Sequence, residues 1–90
     1  MFFVYVIESI KSGKLYHGFS ENLEQRLEEH NRGSNFSTAA GRPWRYIYTE
    51  GCLHKKDATR REMYLKTTQG RRLLQRRLKE YFYEKKNLEN

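Results

Sequence analysis

Apolar and polar residues alternate in two different rhythms along this chain. Phe2 to Ser9 is almost continuously aromatic or β-branched, which predicts a strand. Lys11-Ser12-Gly13-Lys14 is a polar turn, and Leu15-Tyr16-His17-Gly18-Phe19 predicts a second short strand, so the N-terminus reads as a hairpin. Leu23 and Leu27 then recur at helical spacing as far as Gly33, a stop signal. Asn22, with Gln25 three residues on, makes a weak capping box before them. Residues 33–43 read as a loop, and Trp44-Arg45-Tyr46-Ile47-Tyr48 alternates like a third strand. A further helix is expected from an N-cap at Asp57 to about Thr67. Gly70 punctuates it, and Leu74, Leu78, Tyr81 and Phe82 space out a last amphipathic helix. The order ββαβαα predicts an α+β fold, a three-stranded antiparallel sheet flanked by helices.

Ninety residues accommodate one domain, expected over residues 1–84, with a polar tail at 85–90. Apolar residues make up only 37% of the chain. Seven Tyr, five Phe and one Trp offset this, because each ring buries a large area. The single cysteine, Cys52, excludes an internal disulfide and a four-cysteine zinc site. The longest apolar run, starting at Met1, is far too short for a membrane span, so an intracellular, cytoplasmic protein that does not engage membranes is expected.

Charge alters the picture more. Eighteen Lys and Arg against eleven Asp and Glu leave a net charge of +7. Residues 1–50 are neutral, with six of each sign, so all the excess lies in residues 51–90. That asymmetry suggests a polyanionic partner, nucleic acid first and an anionic membrane second. A plain solvated basic surface would show the same counts. The membrane reading lacks a helix with a large apolar face opposite the basic one.

Several residues could carry chemistry. Tyr5 and Tyr16 fall on adjacent strands, with Gly18 on the same face as Tyr16, and a glycine there leaves room for close approach to the backbone. Two ordinary strand tyrosines would look alike. Asn22, Arg26 and His30 recur at i, i+4 and i+8 as a polar stripe beside the leucines. Arg26 could fork two hydrogen bonds to a phosphate and His30 could exchange protons near neutral pH, though a solvated face is the alternative. Glu62, among Arg60, Arg61 and Lys66, is a salt-bridge partner or a ligand for a hard cation. Arg72, Arg76 and Lys79 fall roughly on one side of the last helix, as a phosphate-tracking stripe would.

These signals occur in a familiar order. Val4-Tyr5-Val6, Tyr16-His17-Gly18, the helix with Arg26 and His30, Arg42-Pro43-Trp44 before Tyr46-Ile47-Tyr48, and Ala58-Thr59-Arg60-Arg61-Glu62 together resemble a small, stand-alone GIY-YIG nuclease. The same domain type occurs in the incision subunit of bacterial excision repair and in intron homing endonucleases. The resemblance covers roughly residues 2–82.

It implies a DNA endonuclease dependent on Mg²⁺ or Mn²⁺, leaving 5′-phosphate and 3′-hydroxyl ends. Tyr5 would serve as, or help form, the general base. Tyr16 would bond near the attacking water or scissile phosphate, Arg26 would stabilise charge on phosphorus, His30 would assist proton transfer or orient Tyr5, and Glu62 would hold the metal. Gly18, Asn22, Ser37, Thr38, Arg42, Arg72 and Arg76 are expected to touch substrate. The chain departs from the pattern in lacking the first motif's glycine, in placing His17 where Ile is usual, and in lacking an Asn some residues after Glu62. Gln75, Ser37 or Thr38 could stand in for that Asn. By alternation His17 faces away from Tyr16, filling the Ile space. Such a nuclease would act in repair, recombination or mobile-DNA processing on single-stranded, branched or duplex DNA, as a monomer or weak dimer, with a protein partner supplying specificity. A catalytically inactive nucleic-acid-binding module is the alternative.

Overall fold

The computed structural model describes residues 1–89. Its elements are β1 (Phe2–Ser9), β2 (Leu15–Ser20), α1 (Leu23–Arg32), a 3-10 turn at Ala39–Gly41, β3 (Trp44–Cys52), α2 (Lys55–Leu65), α3 (Thr68–Arg77) and α4 (Lys79–Glu89). The strands form an antiparallel sheet in the order β2-β1-β3. The α+β architecture is therefore as the sequence predicts.

β1 is the central strand, and its unbroken apolar run reflects cover on both faces. Val4 and Val6 pack against Ala58 and Leu65 of α2 and Leu74 of α3. Tyr5 and Ile7 face the other way, against Trp44, Leu23 and Leu27. All four of these β1 side chains are at most 1% exposed. Burial of each such chain contributes roughly 1.5–3 kcal/mol.

β3 carries an irregularity that simple alternation does not show. Val6 pairs with Tyr48, but Ile7 pairs with Tyr46, so Ile47 is an extra residue in the ladder. This bulge turns Tyr46 towards the Tyr5 face and Tyr48 towards the Val4 face. Strict alternation would have left both on one face.

Three helix boundaries differ from expectation. His54 holds the N-cap position of α2 without a side-chain bond, and Asp57 lies inside the first turn, pairing with Arg60 at 3.1 Å, where a negative charge suits the helix dipole. Gly70 lies inside α3, whose N-cap is Thr67. A Cβ on Gly70 would sit 2.0 Å from the Tyr64 carbonyl oxygen, so this glycine permits the close approach of two helices. The last helix is two helices, interrupted at Leu78. That break puts Lys79 on α4, away from the stripe of Arg72 and Arg76 on α3.

The polar tail expected at 85–90 is helical as far as Glu89, and residue 90 lies outside the described residues. Lys85 and Tyr81 of α4, with Arg45 of β3, bond the buried carboxylate of Glu8. No helix among the described residues is long and apolar enough to cross a membrane.

Candidate active site

The site grows from the Tyr5 face of the sheet. Tyr5 pairs with Gly18 across the hairpin, and Ile7 pairs with Tyr16, so the two tyrosines are diagonal neighbours on one face. Asn22 caps α1 by accepting the Gln25 amide at 3.0 Å, and Gly33 closes it in the left-handed conformation with φ 81°. That register lays Leu23, Leu27 and His30 on the sheet-facing side of α1.

His30 therefore departs from the polar stripe expected with Asn22 and Arg26. It lies three residues after Leu27, continues the core stripe and is wholly buried. Its two nitrogens are both engaged. Tyr5 Oη lies 2.8 Å from His30 Nε2, and Thr38 Oγ1 lies 2.7 Å from Nδ1. The Thr38 hydroxyl donates onward to the Asn35 carbonyl at 3.4 Å. The consistent assignment has Nδ1–H donating to Thr38 and the Tyr5 hydroxyl donating to Nε2. Burial, and then Arg26, hold the imidazole below its usual range, which suits this neutral form.

Tyr5 is equally enclosed. Burial pushes its phenol well above the ordinary tyrosine range, and the nearby Arg26 guanidinium offsets only part of that. Tyr46 packs edge-on against it, with ring centroids 5.5 Å apart. Tyr16 is only half-buried, and its ring meets His30 edge-on at 5.3 Å. Of the two phenols, Tyr16 is the one with access to solvent.

Arg26 stands between two adjoining hollows. One, of about 320 Å³, is lined by Arg26, Glu29, His30, Ser34 and Asn35. The other, of about 210 Å³, runs along Ser20, Asn22, Gln25, Arg26 and Glu29. The Arg26 Nε is paired with Glu29 at 3.1 Å, so an incoming phosphate must compete with that carboxylate.

Other candidates occupy supporting positions. Thr38 is wholly buried and holds His30, while Ser37 is exposed on the same loop. Gly18 is buried under the Tyr5 hydroxyl. Arg42 folds back on the loop, donating to the Ala39 carbonyl at 2.7 Å and the Arg32 carbonyl at 3.4 Å. Arg72 and Arg76 are exposed on α3, which packs on the opposite face of the sheet.

Glu62 is carried by α2, which packs on the Val4 face and also meets the edge strand β2 that bears Tyr16. It lies between Ala58 and Leu65 on the sheet-facing surface of α2. Among the described residues no hydrogen bond or ion pair joins it to Tyr5, Tyr16, Arg26 or His30. Its one pairing among the described residues is a loose contact with Lys66 at 3.8 Å. No three His, Cys, Asp or Glu side chains cluster as a metal site among the described residues. A lone, 18% exposed carboxylate still fits Mg²⁺, which takes one or two protein carboxylates and keeps several waters.

Two supporting residues carried no signal as site residues in the sequence. Asn31 clasps the backbone of Trp44 with both ends of its amide, at 2.6 and 3.1 Å. Trp44 in turn donates from its indole to the Thr38 carbonyl at 2.8 Å, fixing the loop that holds His30. Asn35, a third, was detectable in principle, since a loop Asn often makes an Asx turn, and its side chain does accept the amide of Ser37 two residues on at 2.9 Å.

Comparison with known proteins shows the family. Residues 1–75 match the GIY-YIG catalytic domain. The chain is 36% identical over 90 residues to a UPF0213 protein of Clostridium perfringens, covering 94% of this chain and 96% of the relative. It is 36% identical over 66 residues to a UPF0213 protein of Staphylococcus aureus, covering 72% and 79% respectively. No solved structure matches the chain. A GIY-YIG catalytic domain implies nucleic-acid binding and suggests endonuclease activity, and nucleases of this type generally depend on a divalent metal. With five-sixths of its length in that domain and near full-length similarity to a UPF0213 relative, the chain belongs to the GIY-YIG family.

Proposed function

We propose that the protein is a divalent-metal-dependent DNA endonuclease whose proton-handling group is the Tyr5–His30–Thr38 relay, with Tyr16 and Arg26 at its mouth. The observation that carries this reading is the buried relay itself, in which both nitrogens of His30 are engaged beside an arginine. A phenol held above its usual range is a poor anionic base, so Tyr5 does not act alone. It accepts a proton from the attacking water as its own passes to His30 Nε2, and Thr38 keeps the imidazole oriented throughout. Tyr16, the more accessible phenol, positions that water. Arg26 leaves Glu29 to bind the phosphate and balance the charge that develops on it. Glu62 would hold Mg²⁺ or Mn²⁺, which supplies charge neutralisation and a Lewis acid for the phosphoryl oxygen. Phe36, exposed next to Asn35, offers a ring for stacking on an unpaired base. It acts in the cytoplasm on DNA whose site is selected by structure or by a protein partner.

The test is a Mg²⁺ and Mn²⁺ titration with supercoiled plasmid and end-labelled single-stranded DNA, wild type beside Glu62→Ala. Metal-dependent cleavage that vanishes in the variant, with DNA binding kept, supports the reading. Binding without cleavage by either protein in both metals sinks it and leaves an inactive binding module.

A further inference from the structure

The sheet face opposite the tyrosines carries a second polar hollow that the proposed chemistry does not use. It has a volume of about 340 Å³ and is lined by Leu15, His17, Lys66, Arg71, Leu74 and Gln75. His17 reaches it because it pairs with Val6, on the side away from Tyr5. Lys66 and Arg71 come from the junction of α2 and α3. His17 Nε2 is buried without a hydrogen-bond partner, and it is the one such side-chain atom among the described residues. An apolar residue would fill this half-buried place at no polar cost, so an orphaned ring nitrogen here points to a group that arrives from outside.

The neighbours define that group. Two cations repel a metal ion, and burial together with Lys66 and Arg71 keeps His17 below its usual range and neutral at pH 7. A neutral imidazole can donate from Nε2, Lys66 and Arg71 supply charge, and Gln75 adds an amide. Such a set suits an anion with several acceptor oxygens. Leu15 and Leu74 give the hollow an apolar wall of the kind a sugar packs against. Lys66 is free to turn towards it, because its pairing with Glu62 is loose.

We propose that His17, Lys66, Arg71 and Gln75 form a phosphate subsite for the nucleic-acid backbone, on the sheet face opposite Tyr5 and Tyr16. This rests on the nucleic-acid reading of the site above. β2 is an edge strand, so a chain engaged at Arg26 passes round that edge and seats another phosphate here. The subsite acts on binding and register, and the chemical step is left to the other face.

The ring nitrogens of His17 report on this directly by NMR, using wild-type protein in EDTA so that no strand is cut. The probes are a short oligothymidylate, inorganic phosphate and, as an uncharged control, thymidine. Saturable movement of the Nε2 resonance with oligothymidylate, and none with thymidine, is the expected result. His17→Leu, which fills the place with an apolar chain, weakens oligothymidylate binding about tenfold, the loss of one hydrogen bond to a charged group. The double variant Lys66→Ala, Arg71→Ala changes exposed side chains and does so at least as strongly. In cleavage assays His17→Leu raises KM and leaves kcat unchanged.

Oligothymidylate binding that leaves Nε2 unmoved overturns the subsite, while cleavage by the same wild-type protein keeps the nuclease reading intact. Movement with inorganic phosphate alone also overturns it, and marks a free-anion site. A fall in kcat at constant KM in His17→Leu overturns it too. Failure of the wild type to bind oligothymidylate at all removes both readings together.

Discussion

Gly18 lies directly beneath the Tyr5 hydroxyl: a Cβ built on it would sit 2.5 Å from Tyr5 Oη and 2.6 Å from Cζ. The phenol is fully buried and bonded to His30, so it cannot swing aside as a surface tyrosine would. The glycine of the second motif is thus the space into which the tyrosine of the first extends. Gly18→Ala is expected to destabilise the protein by about 1–3 kcal/mol through overpacking. It should also displace the relay and lower cleavage at least tenfold. Thermal unfolding and a nicking assay on the same preparation read both effects.

Thr38→Val keeps shape but leaves His30 Nδ1–H buried without an acceptor. The expected cost is about 1–3 kcal/mol, with Thr38→Ser restoring most of it. Chemical denaturation of the three proteins measures this. Equal stability of Thr38→Val and wild type would remove Thr38 from the relay.

Acid should loosen the fold in a defined window. His30 and His17 are both held below their ordinary value of 6.5, by burial first, then by Arg26 in one case and by Lys66 and Arg71 in the other. Below about pH 6.5 the unfolded chain therefore binds more protons than the folded one. The stability due to neutral imidazoles is full above that pH and is lost as pH falls towards the depressed folded values. The melting temperature should drop in this range, and His17→Leu should flatten part of the slope. Burial alone would raise the Glu8 carboxyl, but hydrogen bonds from Lys85, Tyr81 and Arg45 outweigh it and hold it below 4.5. Its share is present above that value and is lost at lower pH, a separate window.

Lys85→Ala tests how α4 is held. The variant leaves the Glu8 carboxylate, 2% exposed, with Tyr81 and the largely exposed Arg45. A hydrogen bond to a charged group contributes about 1.5–3 kcal/mol, so α4 amides should lose protection against hydrogen exchange while those of β1 keep theirs. Uniform loss across both would show that α4 is part of one cooperative unit.

Glu29→Gln releases Arg26 from its pairing. Because the pair is half open to solvent, worth roughly 0–1 kcal/mol, DNA binding should tighten by no more than about fivefold, most visibly at low salt. Weaker binding would mean that Glu29 positions Arg26.

Much of this architecture is legible along the chain because its causes are local. The apolar run at β1, the turn at Gly13, the Asn22 cap and the Gly33 stop act within a few residues of themselves. So does strand alternation, which by itself separates Tyr5 and Tyr16 from Val4, Val6 and His17. The order of the motifs sufficed for the family.

What tertiary structure decided concerns residues far apart in sequence. A helical count places His30 equally well beside Arg26 or beside Leu27, and only packing against the sheet put it inside. Thr38 looked like a loop hydroxyl free to meet substrate until Trp44 and Asn31 drew the loop over His30. The bulge at Ile47 separates Tyr46 from Tyr48, and no local pattern announces it. The break at Leu78 answers to Glu8, seventy residues earlier in the chain, through Tyr81 and Lys85. Local propensity and periodicity determine which segments are strands and helices. Burial and the pairing of buried polar groups are properties of the assembled core, and they determine which side chains face one another.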